Sequence, residues 1–372
     1  MHLAAKMTLH EFPPLKNNRI LRACRGESID CVPVWIMRQA GRYLPEFKKL
    51  LTEHGFFKLI QSPDYVKEIT LQPVKRFDLD AAILFTDIVV LVQAMGFEME
   101  MSPKDGPCLK EPLTEPDDVL KLLEKQYNIK TSLSYVYESI VKTRHELDGQ
   151  CPLIGFSGGP LTLMCFIIEG KGTTAAKMSK LKRWLYCHRE RSHQLLKLIT
   201  ELTIEYLKEQ ILNGIQLIQI FESYCQALNE ELFLEYVYPY LKQIRNEINN
   251  EQIPLGLFAK DAHYAMELIR DLKYDIVSLD WTIQPSNARH IFNSDDEKTV
   301  LQGNLDPCVL YSIDKNQIEL YVRQMLEEFG TKQYIANLGH GIYPDVPVDN
   351  VKIFVDAVHR ISKEMIDKEK NS

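Results

Sequence analysis

Short apolar runs alternate along the chain with longer stretches of helical period. The runs are VPVWIM (32–37), AAILF (81–85), PLIGF (152–156), IQLIQIF (215–221), PLGLFA (254–259), DIVSL (275–279), TVLQG (299–303) and YIANL (334–338). Several are rich in β-branched residues, which favours strands. Between them lie PDYVKEITLQPVKRF, SHQLLKLITELTIEYLKEQILN, QIELYVRQMLEEF and, near the end, DNVKIFVDAVHRISKEMI. Apolar positions in these recur every three or four residues, the period of a helix with one buried face. Eight strand-then-helix units predict an α/β protein, a single-domain (β/α)8 TIM barrel. A doubly wound open sheet is the alternative, since counting strands does not prove closure, but no G-x-G-x-x-G follows the first run. The pattern divides the chain into a flexible arm over 1–11, the barrel over 12–366 and a solvated tail over 367–372. An insertion after the second strand, at about 96–150, is long for a βα connection; it is expected to hold a small hairpin around FEMEMS and two helices.

Composition narrows the class without changing it. Of 372 residues, 45% are hydrophobic and 26% charged, the balance of an ordinary globular protein. No stretch approaches the ~20 apolar residues of a membrane span, so no membrane partner is expected. Lys6 interrupts the one apolar stretch near the N-terminus, so a signal peptide is not expected. The eight cysteines are scattered, with no C-x-x-C, and read as reduced thiols of a cytoplasmic protein. A net charge of −7 and the lack of a long basic run exclude nucleic acid as the expected partner, although a local positive cleft is compatible with that total.

In a barrel of this kind the site collects at the C-terminal ends of the strands. The residues just past the eight runs are Arg38; Thr86 and Asp87; Ser157-Gly158-Gly159; Glu222 and Ser223; Lys260 and Asp261, with His263 following; Asp280; Asn304 and Asp306; and Gly339-His340-Gly341. Each has an ordinary structural reading. Asp280 and Asp306 suit helix caps or turns, Lys260 and Asp261 suit each other, and Ser157-Gly158-Gly159 suits a loop that starts a helix at Pro160. Asp87 is harder to place, being the one carboxylate of the apolar span AILFTDIVVLVQAM. A buried charge needs a partner, either Arg38 or donors brought by a ligand. His340 reads equally as a satisfied core histidine or a functional one. No H-E-x-x-H, C-x-x-C, H-x-C, P-loop or G-x-S-x-G occurs, so the residues suit a site for an anionic ligand with no metal.

The segments PVWIMRQAGRYLPEF, FDLDAAILFTDIVV, IGFSGGPLTLM, LQGNLDPCVLY and YIANLGHGIYPD resemble the uroporphyrinogen decarboxylase family, in order and with similar spacing from about Phe12 to about Ser362. The resemblance implies a (β/α)8 barrel and usually a homodimer with facing clefts. It implies a cofactor-free carboxy-lyase of haem biosynthesis that converts the four acetate arms of uroporphyrinogen and yields coproporphyrinogen. It carries substrate contacts onto Arg38, Ala40, Arg42, Asp87, Phe166, Ser223 and His340, with Asp87 and Arg38 catalytic and no metal. Asp87 would then collect the pyrrole N–H donors and stabilise positive charge developing on a protonated pyrrole. Arg38, Arg42 and His340 would hold carboxylate arms, Ser223 suits the same task, and the identity of the proton donor stays open.

Four positions depart from the family pattern. Phe166 stands for a tyrosine, Leu161 for a tryptophan and Leu51 for an arginine, and ESYCQAL lacks the small residues usual after Ser223. Each lost hydrogen bond to a charged arm would cost roughly 1.5–3 kcal/mol. Two other readings follow: a non-catalytic porphyrinogen-binding homologue with a drifted pocket, and a zinc- or corrinoid-dependent methyltransferase on the same barrel. The second is opposed by Tyr264-Ala265 after His263, where H-x-C would supply the zinc ligands.

Overall fold

The computed structural model describes residues 10–40, 43–102, 106–172, 178–249, 252–292 and 299–371. Arg42 and most of the N-terminal arm (1–9) lie outside these. Seven strands form one parallel sheet in the order β1 (Ala82–Ile83), β4 (Leu153–Gly158), β5 (Leu217–Glu222), β6 (Leu255–Ala259), β7 (Ile276–Ser278), β8 (Val300–Leu305) and β9 (Tyr334–Leu338). A separate antiparallel hairpin pairs β2 (Met99–Ser102) with β3 (Gly106–Leu109), where FEMEMS suggested one.

The eighth place in the barrel belongs to residues 32–37, and it is irregular. Val34 makes a parallel bridge to Ala336 of β9. Pro33 O accepts from Ala336 N (2.9 Å), and Val34 O accepts from Asp80 N (2.9 Å), just before β1. The segment therefore closes the sheet between its first and last strands. Its own donors go to side chains. Val32 N–H bonds Ser362 Oγ (2.9 Å), Val34 N–H bonds Asp80 Oδ2 (2.8 Å), Ile36 N–H bonds Gln39 Oε1 (3.3 Å) and Met37 N–H bonds Asn337 Oδ1 (2.8 Å). Pro33 has no N–H to give. A run expected as an ordinary strand is thus a strand held by side chains.

Alternation along the strands sorts two cores. Leu217, Ile276, Val300, Ile335, Trp35 and Met37 face the barrel interior, and the helix Arg19–Cys24 adds Ile20 and Leu21 to them. Ile218, Ile220, Val277, Leu301 and Ala336 face the surrounding helices. One interior layer is polar. Trp35 Nε1–H donates to Gln302 Oε1 (2.8 Å), and Gln302 Nε2 donates to Ser278 Oγ (2.6 Å) and Gln219 Oε1 (3.3 Å). These buried groups satisfy one another, which removes the penalty of enclosing them. The last helix, Val348–Asn371, runs on through the expected tail, so 367–371 are exposed helical turns. Lys368 and Lys370 in its final turn suit the negative end of the helix dipole.

Asp80 fastens the closing seam. It is fully buried and takes Val34 N–H, Asn17 Nδ2 (2.9 Å), His359 Nε2 (2.8 Å) and the Arg19 guanidinium. Burial pushes its pKa up, but His359, Arg19 and Asn17 outweigh this and hold it below the ordinary value. A carboxyl depressed in the fold adds stability above its unfolded pKa and loses it as pH falls through the folded one. Asp80→Asn is expected to cost about 3–5 kcal/mol near neutral pH, with the gap to wild type closing below about pH 4. Urea unfolding at several pH values measures both.

Candidate active site

The C-terminal rim begins at the seam. Both backbone groups of Met37 are tied down, its N–H by Asn337 and its C=O by Ile342 N (3.0 Å). Arg38 follows with φ of 62°, a left-handed conformation that a long side chain adopts at some cost. The next side chain secures the turn: buried Gln39 donates through Nε2 to Ala81 O (3.1 Å) and accepts from Ile36 N. Arg38 is exposed and lies along the 339–341 loop. A methyl group on Gly341 would come within 2.5 Å of Arg38 Cδ, and one on Gly339 within 2.3 Å of Trp281 N. Gly339 is therefore required by close approach to backbone, while at Gly341 the contact is with the Arg38 side chain. The first and last signature segments meet here.

His340 is half-buried, with Nδ1 at 3.0 Å from Gly341 O and its ring stacked on Tyr343 at 5.8 Å. Burial, then the charges of Arg38 and Lys260, lower its pKa; the Gly341 carbonyl and Asp261 oppose them. The imidazole is thus favoured in its neutral form. The Gly341 contact assigns the hydrogen to Nδ1 and leaves Nε2 an acceptor.

Asp87 follows β1, next to the seam. It is half-buried rather than sealed in an apolar span as its sequence context suggested, and its Oδ1 accepts Val89 N–H (3.0 Å). The neighbouring Thr86 hydroxyl is buried with no hydrogen-bond partner among the described residues. Ala40 is half-buried behind Arg38. Phe166 is only 4% exposed, inside the helix Pro160–Glu169, where Leu161 is fully buried. Both pack in the outer hydrophobic core. Leu51 is half-buried, while Lys48 and Lys49 are exposed.

Several strands reach further than their apolar runs. Ser157 and Gly158 belong to β4, Glu222 ends β5, and Asn304 lies within β8. Ordinary readings account for part of the rim. Asp306 Oδ1 caps a short turn by accepting Cys308 N (2.8 Å), and Asn304 Nδ2 donates to Asp280 O and Ile283 O (2.9 and 2.7 Å). Lys260 and Asp261 form an ion pair.

Glu222 has a role that its position alone did not disclose. Its Oε1 accepts Leu161 N–H (3.0 Å), and its Oε2 accepts Thr162 N–H (2.9 Å) and Thr162 Oγ (2.6 Å). The carboxylate caps the helix that starts at Pro160. Thr162 Oγ in turn accepts Ser223 N–H (2.7 Å), which fixes the backbone of half-buried Ser223. Gly159 is needed because a methyl group there would strike the Glu222 carboxyl at 2.2 Å. Burial raises the Glu222 pKa to about 7 against the pull of these three donors.

Fold and rim together define a (β/α)8-barrel protein with arginine, lysine, histidine and carboxylate groups at its mouth. Residues 15–361 match the family model described as Uroporphyrinogen decarboxylase (URO-D), and the chain belongs to that family. It is 48% identical to uroporphyrinogen decarboxylase of Danio rerio over 363 residues, covering 96% of each chain. It is 45% identical to that of Homo sapiens over 360 residues, covering 95% of this chain and 96% of the other. Among solved structures, a methyltransferase from Methanosarcina mazei superposes with a TM-score of 0.72 at 22% identity, covering 94% of this chain and 98% of that one, a likeness of fold. Among the described residues no group of three or more His, Cys, Asp or Glu could hold a metal, and no helix is long and apolar enough to cross a membrane.

An acid whose pKa is raised by folding binds its proton more tightly in the native state, so its contribution to stability falls as pH rises from about 4.5 to about 7. Glu222→Gln offers one oxygen where two are used, and turns an amide donor toward Thr162. It is expected to cost about 2–3 kcal/mol at pH 5. The gap to wild type should narrow by pH 8, as measured by urea unfolding.

Proposed function

We propose that this protein removes carbon dioxide from the four acetate arms of uroporphyrinogen III, giving coproporphyrinogen III in tetrapyrrole biosynthesis, and that the rim built on Arg38, Asp87 and His340 does the work. One observation carries the residue assignment: Arg38 is pressed against the Gly339-His340-Gly341 loop at the closing seam, with Asp87 on the adjoining strand end. The ligand is a flat polyacid with four N–H donors at its centre. A carboxylate accepts only, on about four lone-pair sites, so Asp87 suits those donors. As a pyrrole takes up a proton, positive charge develops beside that carboxylate and is stabilised by it. Arg38 and Arg42 offer planar forks to the carboxylate arms, and Ser223 and Ala40 border the same ligand. His340, neutral in the free protein, would take up a proton as a carboxylate arm arrives, since a nearby anion favours the charged imidazole. Phe166, packed in the outer core, gives the ligand no hydroxyl. The proposed chemistry needs no metal or organic cofactor.

The proposal extends to a cytoplasmic homodimer. Trp281, Tyr311 and Tyr343 expose apolar surface beside the 339–341 loop, and Tyr311 stacks on Tyr343 at 6.3 Å. Clefts facing each other would cover that surface. Sedimentation velocity should give twice the 43.1 kDa chain mass; a monomer at micromolar concentration would remove this part of the proposal.

The main test is anaerobic incubation with uroporphyrinogen III, with products oxidised and separated by carboxylate number. Stepwise conversion to the four-carboxylate product is expected. Asp87→Asn should lower kcat at least about 100-fold, as removal of a charge-stabilising group does. Tight binding of the porphyrinogen with no product from wild type would instead identify a non-catalytic homologue.

A further inference from the structure

We infer that Lys260 is a further binding residue for an acetate carboxylate and that Asp261 is its resident counter-ion, which takes the ammonium back when that carboxylate has gone. The inference rests on the reading of the rim as the site for a porphyrinogen polyacid. Lys260 is the first residue past β6, and its N–H continues the ladder to Glu222 O at 2.9 Å. In the barrel order β6 lies across the mouth from the seam that carries Arg38. A flat ligand with acidic arms around its edge needs cations on both sides.

The pair is built rather than incidental. Successive residues of an extended chain point to opposite faces. Asp261 has φ of 59°, and this left-handed turn lets its carboxylate reach the lysine before it. The turn is held from below: Asp261 N–H donates to Oδ2 of Asp280 (3.0 Å), itself 1% exposed, whose Oδ1 accepts Thr282 N–H (2.9 Å). Aspartate is one of the few residues other than glycine that take this conformation readily. Both side chains remain reachable, at 24% and 28% exposure. Lys260 adds to Arg38 in opposing a charge on His340, and Asp261 offsets it, so the four groups share one field.

The chemistry explains why a cation here keeps its own anion. Each step replaces an acetate carboxylate by a methyl group: the bond to carbon dioxide breaks, and a proton takes its place on carbon. A lysine that held that arm would be left beside an apolar methyl, uncompensated and half-buried. Asp261 removes this penalty and, for the same reason, competes with the incoming arm. Propionate arms never leave, so a cation serving them needs no such stand-in. Lysine suits the exchange, with three rotatable donors on a flexible stem.

The two partners therefore have opposite expected effects, which a merely structural ion pair would not show. The test uses the full chain with uroporphyrinogen III under anaerobic conditions, with coproporphyrinogen III as product inhibitor. Lys260→Gln should raise KM about 10-fold, the loss of one charged hydrogen bond, with kcat within about threefold and Tm unchanged. Lys260→Arg should restore most of the affinity. Asp261→Asn should lower KM. Inhibition by coproporphyrinogen should stay within about twofold in Lys260→Gln. A rise of KM in both Lys260→Gln and Asp261→Asn, or an equal fall in Tm, would show a structural pair and overturn the inference. An equal weakening of coproporphyrinogen would overturn the assignment to an acetate arm. A wild-type protein that neither binds nor converts uroporphyrinogen overturns the reading of the rim itself, and this inference with it.

Discussion

The Asp80 carboxylate holds shut the one place where the barrel's backbone ladder gives out. Pro33 cannot donate, and the donors of residues 32–37 lie where no strand takes them, so side chains from four parts of the chain take over. A buried carboxylate is costly unless its oxygens are fully used. Here Val34 N–H, Asn17, Arg19 and His359 use them, joining the entry helix, the first strand and the last helix at one point. Ligand geometry at the other end of the barrel depends on this closure. Once Val34 is fixed between Asp80 and β9, Met37 meets Asn337 and Ile342, and Arg38 has one way to go.

Two cations of the rim, Arg38 and Lys260, sit at or beside left-handed points of the backbone. Arg38 takes a left-handed φ itself, and Lys260 precedes one at Asp261. The conformation is unfavourable for Arg38, while Asp261 is of a type that adopts it more readily. Each is imposed by hydrogen bonds from rigid neighbours: Gln39 with Asn337 at the seam, and Asp280 beneath β6. The result is a pair of charges aimed by scaffold rather than by loop flexibility, the arrangement that positions reacting groups most reproducibly.

The barrel was legible because period survives averaging. Val277 or Ile220 could change without hiding the apolar runs that made 275–279 and 215–221 strands. What the pattern could not carry was anything satisfied from far away. Asp80 and His359 are separated by 279 positions, and nothing near VPVWIM announces that its N–H groups are taken by side chains. Strand ends were read short at Ser157, Glu222 and Asn304 because a polar residue breaks an apolar run without breaking a strand. Asp87 looked sealed because its neighbours are apolar, yet the chain turns at that point and leaves it half-exposed. Arg38 and His340 were legible as candidates from their positions past a strand end, whereas the bond network that makes Glu222 a helix cap is visible only in three dimensions.

Charge is the remaining constraint on a mouth proposed to take a polyacid in a chain of net charge −7. At physiological salt, fields between exposed groups fade over about 8 Å, so the distant surface carboxylates count for little and the groups at the mouth decide. Glu222 lies directly beneath Ser223, where a full negative charge would repel an acidic arm. Two features blunt it. Burial favours its neutral form, with a pKa near 7, and when ionised its charge is met by the N–H groups of a helix start. Asp261 is compensated within the rim by Lys260. Glu222 and Asp261 are thus met by donors of the protein itself, the one by a helix start and the other by a neighbouring ammonium.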